Sequence, residues 1–302
     1  MTSPKPVRIG VKLPHTGLTV GPASVPRLAR ELETAGFDSL WVSDHVVQPE
    51  VITSPYPFAA DGKATWPTDT PYLEAIVSLT AAAAVTDRVR LGTAALVLPQ
   101  RNPVLLAKQV ASLDVLSGGR AVLGIGAGWL REEFDALAAP FDGRGARMTE
   151  WIALLRDCWT GRTSGHHTGN YNLAPGILAL PAPANPVPVL VGGHSPVALR
   201  RAGRVGDGWL AQQAVPTLDP GHLAAEIAAV RQAAADVGRD PAELTVVLRL
   251  VESAGRLDTV ARRLADLHAA GVDEIIVDTS AGLPGGDLKA DHDLLRDAGS
   301  TF

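Results

Sequence analysis

A chain of 302 residues is long enough for two average domains, yet α/β barrels of this length are routinely one. With 46% hydrophobic and 20% charged residues it has material for a large core, which excludes a disordered chain. A net charge of -5 and a pI near 5.9 argue against nucleic acid or an anionic membrane as the main partner and favour a small molecule.

The opening MTSPKPVRIGVKLP has no apolar stretch long enough for a signal peptide, and no later run of about 18 apolar residues offers a membrane span, so a cytoplasmic location is expected. Within that opening, residues 7–13 read as a first strand. A helix is expected from about Pro22 to Ala35, with Val25, Leu28, Ala29 and Leu32 on one face and Gly36 as its stop. The strand SLWV (39–42) follows, then a long Pro- and Thr-rich loop. Next is a helix from about Tyr72 to Thr86, with Leu73, Ile76, Val77 and Thr80 in register. VRLGTAALVL starts the third strand, Asn102-Pro103 opens a helix, AVLGIG (121–126) is a strand, and Arg144 to Trp159 is a helix.

Residues 161–187 break the rhythm with clustered Pro and Gly and read as an inserted loop or hairpin. Afterwards VPVLV, DGWL, LTVVLRL and EIIVD alternate with helices opened by Ser195-Pro196 and Asp219-Pro220 and with one over Leu257 to Ala270. TAGFDSLWVSD (34–44) and AAGVDEIIVDT (269–279) repeat one joint: a glycine at a helix end, a turn containing Asp, then an apolar strand. The count is eight strands with intervening helices, so the expected fold is α/β, a single (β/α)8 TIM barrel over residues 1–302, rather than an open doubly wound sheet. The lone Cys158 follows Leu154 and Leu155 at helical spacing and reads as a buried structural thiol.

Three stretches carry candidate chemistry. Strand SLWV runs into Asp44 and His45, which at the C-terminal end of a barrel strand would stand where such enzymes keep their reactive groups. On their own, these two residues equally suit a turn cap and a solvent-facing imidazole. In VLGIGAGWLREEF (122–134), Gly124, Gly126 and Gly128 alternate and strip one face of side chains, so a flat group could press against the backbone. The spacing is not that of a dinucleotide fingerprint. In VPVLVGGHSPVALRRAG (187–203), two glycines lead into a Ser-capped, Pro-started helix, whose free N–H groups would suit a phosphate.

With RVRLGTAALVLPQRNPVLLAKQVASLDVLSGGR (88–120) between them, these stretches resemble the luciferase-like monooxygenase superfamily, and within it the oxidoreductases that use the deazaflavin coenzyme F420. The ordered series LGT, RNP, LDxLSGGR, GxGAGW, EF, VGG and GDGW carries the resemblance over about residues 7 to 280. The resemblance implies a non-prolyl cis peptide at about Ala94-Ala95, with Thr93, Ala94, Ala95, Gly126, Ala127 and Gly128 close to the ring. It puts Asp44 and His45 at the ring's reactive edge and the phosphate on Gly192, Gly193, His194 and Ser195. Arg101 and the arginines of RRAGR are looser candidates for the phosphate or tail. The branch's sugar-phosphate dehydrogenases place an acidic residue after the GxG element; this chain has Trp129 there, so an apolar or aromatic substrate is expected. His15, Trp41 and Trp66 are candidates to line the same pocket as Trp129.

The leading reading is hydride transfer between F420 and a small organic substrate, with His45 as acid/base and Asp44 orienting it or accepting a hydrogen bond from the ring edge. The alternative is an FMN-dependent monooxygenase using O2 with a separate reductase. A metal-dependent barrel hydrolase built on His15, Asp44 and His45 is remote, because no His-x-His pair aims two imidazoles inward and His166-His167 lies in the insertion. The resemblance also implies a homodimer.

Overall fold

The apolar runs become a closed ring of parallel strands. The computed structural model describes residues 6–17, 21, 24–59, 61–64, 66–281 and 285–299. Strands are β1 (Arg8–Lys12), β2 (Ser39–Val42), β3 (Arg90–Thr93), β4 (Leu96–Val97), β5 (Ala121–Gly126), β6 (His166–His167), β7 (Asn172–Leu173), β8 (Val189–Gly192), β9 (Gly208–Ala214), β10 (Thr245–Val251) and β11 (Glu274–Val277). Helices are α1 (Ser24–Ala35), α2 (Ala75–Ala83), α3 (Pro103–Ser117), α4 (Arg131–Ala136), α5 (Arg144–Trp159), α6 (Pro196–Val205), α7 (Pro220–Ala235), α8 (Leu257–Ala270) and α9 (Leu288–Gly299). The sheet runs β3-β2-β1-β11-β10-β9-β8-β5-β4 and β3 also pairs with β5, so the ring closes; with β4 as the continuation of β3, it has eight strands. The start expected at Pro22 falls outside the described residues, and α1 is described from Ser24.

Three start signals act as read. Asn102 accepts from the Val104 and Leu105 amides, Ser195 from Ala198 and Asp219 from His222, each followed by Pro at the first helical position. The expected face of α2 is wrong. Its buried residues include Ala75, Ile76, Leu79, Ala82 and Ala83, while Leu73 and Val77 are exposed. A helix of alanines and β-branched residues is apolar all round, so periodicity does not pick its inner face.

The repeated Gly-x-Asp joint has one physical purpose. Gly36 and Gly271 take φ of +112° and +102°, which glycine adopts without steric cost. Asp38 then accepts from the Ile9 amide at 2.7 Å and Asp273 from the Val246 amide at 2.7 Å, each closing the start of a neighbouring strand. Asp207 does the same for Val189 at 2.8 Å.

Strand alternation fills the barrel in layers. At the N-terminal end, the fully buried Glu274 accepts from Arg8 at 3.2 Å, from the Trp41 indole at 3.1 Å, and from Arg90 and Ser39. The middle layer is Trp41, Val122, Leu190, Leu210, Val247 and Ile276, with Ala94 and Ala95 resting on it. Burying each large member contributes about 1.5–3 kcal/mol. Gly10 and Gly92 must be glycines because a Cβ on either would strike the Trp41 ring, at 2.7 and 2.3 Å.

The region 161–187 contains an antiparallel hairpin of β6 and β7, as expected of an insertion. Beneath it a cavity of about 220 Å³ is lined by residues including Cys158, Trp159 and Leu173. Cys158 is buried, and burial followed by the Asp157 charge raises its thiol pKa, so it is inert packing. Among the described residues no helix is long and apolar enough to cross a membrane.

Candidate active site

Above the apolar layer, the C-terminal strand ends place groups of different character around the mouth. On β1, β10 and β11 the inward positions are Lys12, Arg249 and, just past the last strand, Asp278; on β9 it is Gln212. On the opposite side the corresponding positions are small: Ala94, Gly126 and Gly192. His45 follows β2 beside them.

The carboxylate that holds His45 is not Asp44. Nδ1 of His45 lies 3.0 Å from Oε2 of Glu133, which is 2% exposed and whose Oε1 accepts from the Val46 amide at 2.6 Å. Asp44 faces away, accepting from Arg101 at 2.6 Å and from the Val97 amide at 3.0 Å. Burial raises the Asp44 carboxyl pKa, with Arg101 and the Val97 amide opposing and the nearby Glu133 charge adding to the rise. Arg101 also reaches Glu74 at 3.0 Å, the side chain that caps α2 at Val77, so it bridges two carboxylates instead of waiting for a phosphate. Among the other arginines considered for that contact, Arg201 donates to Thr149 at 2.7 Å, and Arg200 and Arg204 are exposed.

Helix α4 pins the long loop after β2. Besides Glu133, it offers Glu132, which accepts from the Thr53 amide at 2.7 Å, the Ser54 amide at 2.9 Å, the Ser54 hydroxyl at 2.6 Å and the Thr53 hydroxyl. Against the upward pull of burial, these bonds hold the Glu132 carboxyl down to about 2. The pinned loop carries an aromatic wall. Tyr56 stands edge-on to Trp66 and to Trp129, with ring centroids 5.1 Å apart in each case, and His45 stands edge-on to Tyr72 at 5.4 Å. The Trp66 indole donates to Gln48 at 2.9 Å, fixing its ring.

The glycine series divides. A Cβ on Gly124 would lie 2.0 Å from the Thr93 carbonyl, and one on Gly128, at φ +81°, would strike Val97 and Phe134 at 2.6 and 2.7 Å. Both are glycines for packing. Gly126 alone is open, its added Cβ meeting nothing closer than Ala95 at 3.6 Å. The Ala94-Ala95 peptide is cis, between β3 and β4, as the resemblance implies. Thr93 is not available to a ligand: it is 1% exposed and its hydroxyl donates to the Gly124 carbonyl at 2.7 Å.

The loop into α6 has Gly193 at φ +118°, with Ala198 only 2.8 Å from where a Cβ would sit. Ser195 Oγ is occupied as the helix cap at 3.2 Å. His194 is a positioning group: its Nε2 accepts from the Gln212 amide at 3.1 Å, so its Nδ1 carries the proton that it donates to Glu226 at 2.9 Å. The backbone N–H groups of this turn remain the available anion donors.

Two expected pocket residues lie elsewhere. Trp41 is 1% exposed and belongs to the middle layer, turned toward Glu274. His15 is fully buried, its ring nitrogens each 2.9 Å from a carbonyl, of Leu13 and of Ser43; burial lowers its pKa to about 4 against the upward pull of these two carbonyls, and with both nitrogens taken up by backbone the ring is structural. His15, Asp44 and His45 therefore do not converge, and among the described residues no group of three His, Cys, Asp or Glu is placed to hold a metal ion. Sequence reading missed Tyr56, Tyr72 and Glu133. The EF pair of the motif series contained Glu133 but gave no sign of its partner.

Comparison with known proteins agrees with this architecture. An uncharacterised protein of Mycobacterium tuberculosis is 37% identical over 221 residues, covering 73% of this chain and 75% of its own. An F420-dependent glucose-6-phosphate dehydrogenase of Nakamurella multipartita is 32% identical over 252 residues, covering 82% and 68%. Among solved structures, an F420-dependent secondary alcohol dehydrogenase in complex with an F420-acetone adduct superposes with a TM-score of 0.74 at 18% identity over 97% of this chain and 98% of that one. The coenzyme F420-dependent tetrahydromethanopterin reductase of Methanopyrus kandleri gives 0.72 at 18% identity over 96% and 97%; at such identities these two speak for the fold. The family model described as luciferase-like monooxygenase matches residues 7–299, and the chain belongs to that family.

Proposed function

We propose that the protein is an F420-dependent oxidoreductase acting on a small organic substrate with an apolar or aromatic body. The observation that carries the reading is the small-residue half of the barrel mouth: Ala94, Ala95 and the open face of Gly126 form a flat cradle beside His45. A Cβ at Gly126 would fill it. The F420-dependent relative at 32% identity supports the deazaflavin over FMN.

The residues fit the cofactor. Ala94, Ala95, Gly126 and Ala127 would hold the ring, and the backbone amides of Gly193, His194 and Ser195, with the N-terminal end of α6, would hold the phosphate. When bound, the deazaflavin supplies a carbon that accepts or gives a hydride. The chain's own part is binding, orientation and proton handling. Glu133 fixes the His45 ring by its Nδ1, leaving Nε2 to take or give a proton on the substrate. The aromatic wall sets the substrate's body against it and excludes water. Helix α2 carries exposed Val77 and α3 exposed Leu105 and Leu116, which supports assembly as a homodimer through this side.

The test is a pair of titrations followed by deazaflavin fluorescence and calorimetry. Tighter binding of F420 than of FMN is expected; FMN binding tenfold more tightly, about 1.4 kcal/mol, would overturn the assignment.

A further inference from the structure

The other half of the mouth is charged, and its charges do not balance. Arg249 is 7% exposed and donates to Asp278 at 2.6 Å and to the carbonyls of Leu250 at 2.9 Å and Ile276 at 3.3 Å. Asp278 thus answers Arg249. Lys12 is left over: its ammonium has no hydrogen bond or ion pair to any described residue. Strand alternation sends it inward, since Gly10, two residues earlier, faces Trp41 and Glu274 inside the barrel. It is half-buried there; burial, and then the charge of Arg249, lower its pKa, with Asp278 opposing. An inward, partly dehydrated ammonium without a partner is costly, and an anion in the mouth would relieve that cost. Beside this half stands Tyr56, close enough to Gln212 to bond it and within the field of Arg249.

We propose that Lys12 and Arg249 form a subsite for a carboxylate of the substrate, whose apolar or aromatic body lies against Tyr56, Trp66 and Trp129. A carboxylate would favour the charged form of Lys12 and supply the counter-ion that Asp278 gives to Arg249, and a single negative charge suffices for this where a doubly charged phosphate would crowd Asp278. The inference rests on the reading of this mouth as the substrate site.

The experiment titrates benzoate, phenylacetate and 3-phenylpropionate, and the uncharged amide of each, into the F420-loaded and the cofactor-free full chain by calorimetry. F420 affinity is measured separately. At least one acid is expected to bind tenfold or more tightly than its amide. Lys12→Met should abolish that preference and Lys12→Arg should retain it, both with unchanged melting temperatures. Equal or absent binding of acids and amides across the series, or a preference that survives in Lys12→Met, overturns the subsite. A fall in F420 affinity in Lys12→Met without loss of acid preference reassigns Lys12 to the cofactor and overturns it too. If the wild type prefers acids yet binds no F420, the subsite stands and the proposed function fails.

Discussion

Glu133 Oε2 lies 3.0 Å from Nδ1 of His45, although the two residues are 88 positions apart and the histidine's chain neighbour, Asp44, is committed to Arg101. If that pair handles the proton, His45→Ala should lower turnover by ~10²- to 10⁴-fold while leaving the fold and most F420 affinity intact. Glu133→Gln should lower turnover less, and the double variant should be no worse than His45→Ala alone, because groups that act as a unit are not additive. Steady-state kinetics on the four proteins checks this. Near-wild-type turnover in His45→Ala would demote the residue to lining.

Asp44 should behave as a structural residue. Replacing it with Ala leaves the Arg101 guanidinium, 13% exposed, with only Glu74 as a partner. Removing one member of a buried pair costs ~3–5 kcal/mol, so a large drop in unfolding free energy is expected by denaturant titration. His45→Ala should show no comparable drop, and equal stabilities for the two variants would contradict the division of roles.

The glycines of β5 should separate by cause. Gly124→Ala forces a Cβ against the Thr93 carbonyl and should destabilise by ~1–3 kcal/mol. Gly126→Ala meets only Ala95 at 3.6 Å, so its melting curve should match the wild type while its F420 affinity falls. Loss of stability without loss of affinity in Gly126→Ala would remove the cradle.

Glu132 ties the aromatic loop to α4 with a carboxyl held down to about 2, below the ordinary value of 4.5. A carboxylate depressed in the folded state adds stability above its unfolded pKa and loses it as pH falls through the folded one. The stability difference between wild type and Glu132→Gln should therefore be full above about pH 4.5 and shrink toward pH 2, as read by thermal melts across that range. A difference independent of pH would mean that the loop is held by hydrogen-bond shape alone.

What the sequence by itself determined is what local chemistry controls. Alternating apolar and amphipathic runs specified eight strands with helices between them. Asn102, Ser195 and Asp219 before proline specified three helix starts, and Gly36 and Gly271 two helix ends, because caps and left-handed turns involve only near neighbours. Closure of the ring brought His45, Gly126 and the α6 loop to one end, as the order of strands requires. Tertiary structure decided the pairings. Whether Asp44 meets His45 or Arg101, whether Trp41 lines a pocket or fills the barrel, and which of Gly124, Gly126 and Gly128 is open depend on neighbours from distant segments. Two adjacent strand-end residues point in different directions, so adjacency in sequence suggested a partnership that Glu133, from α4, holds instead.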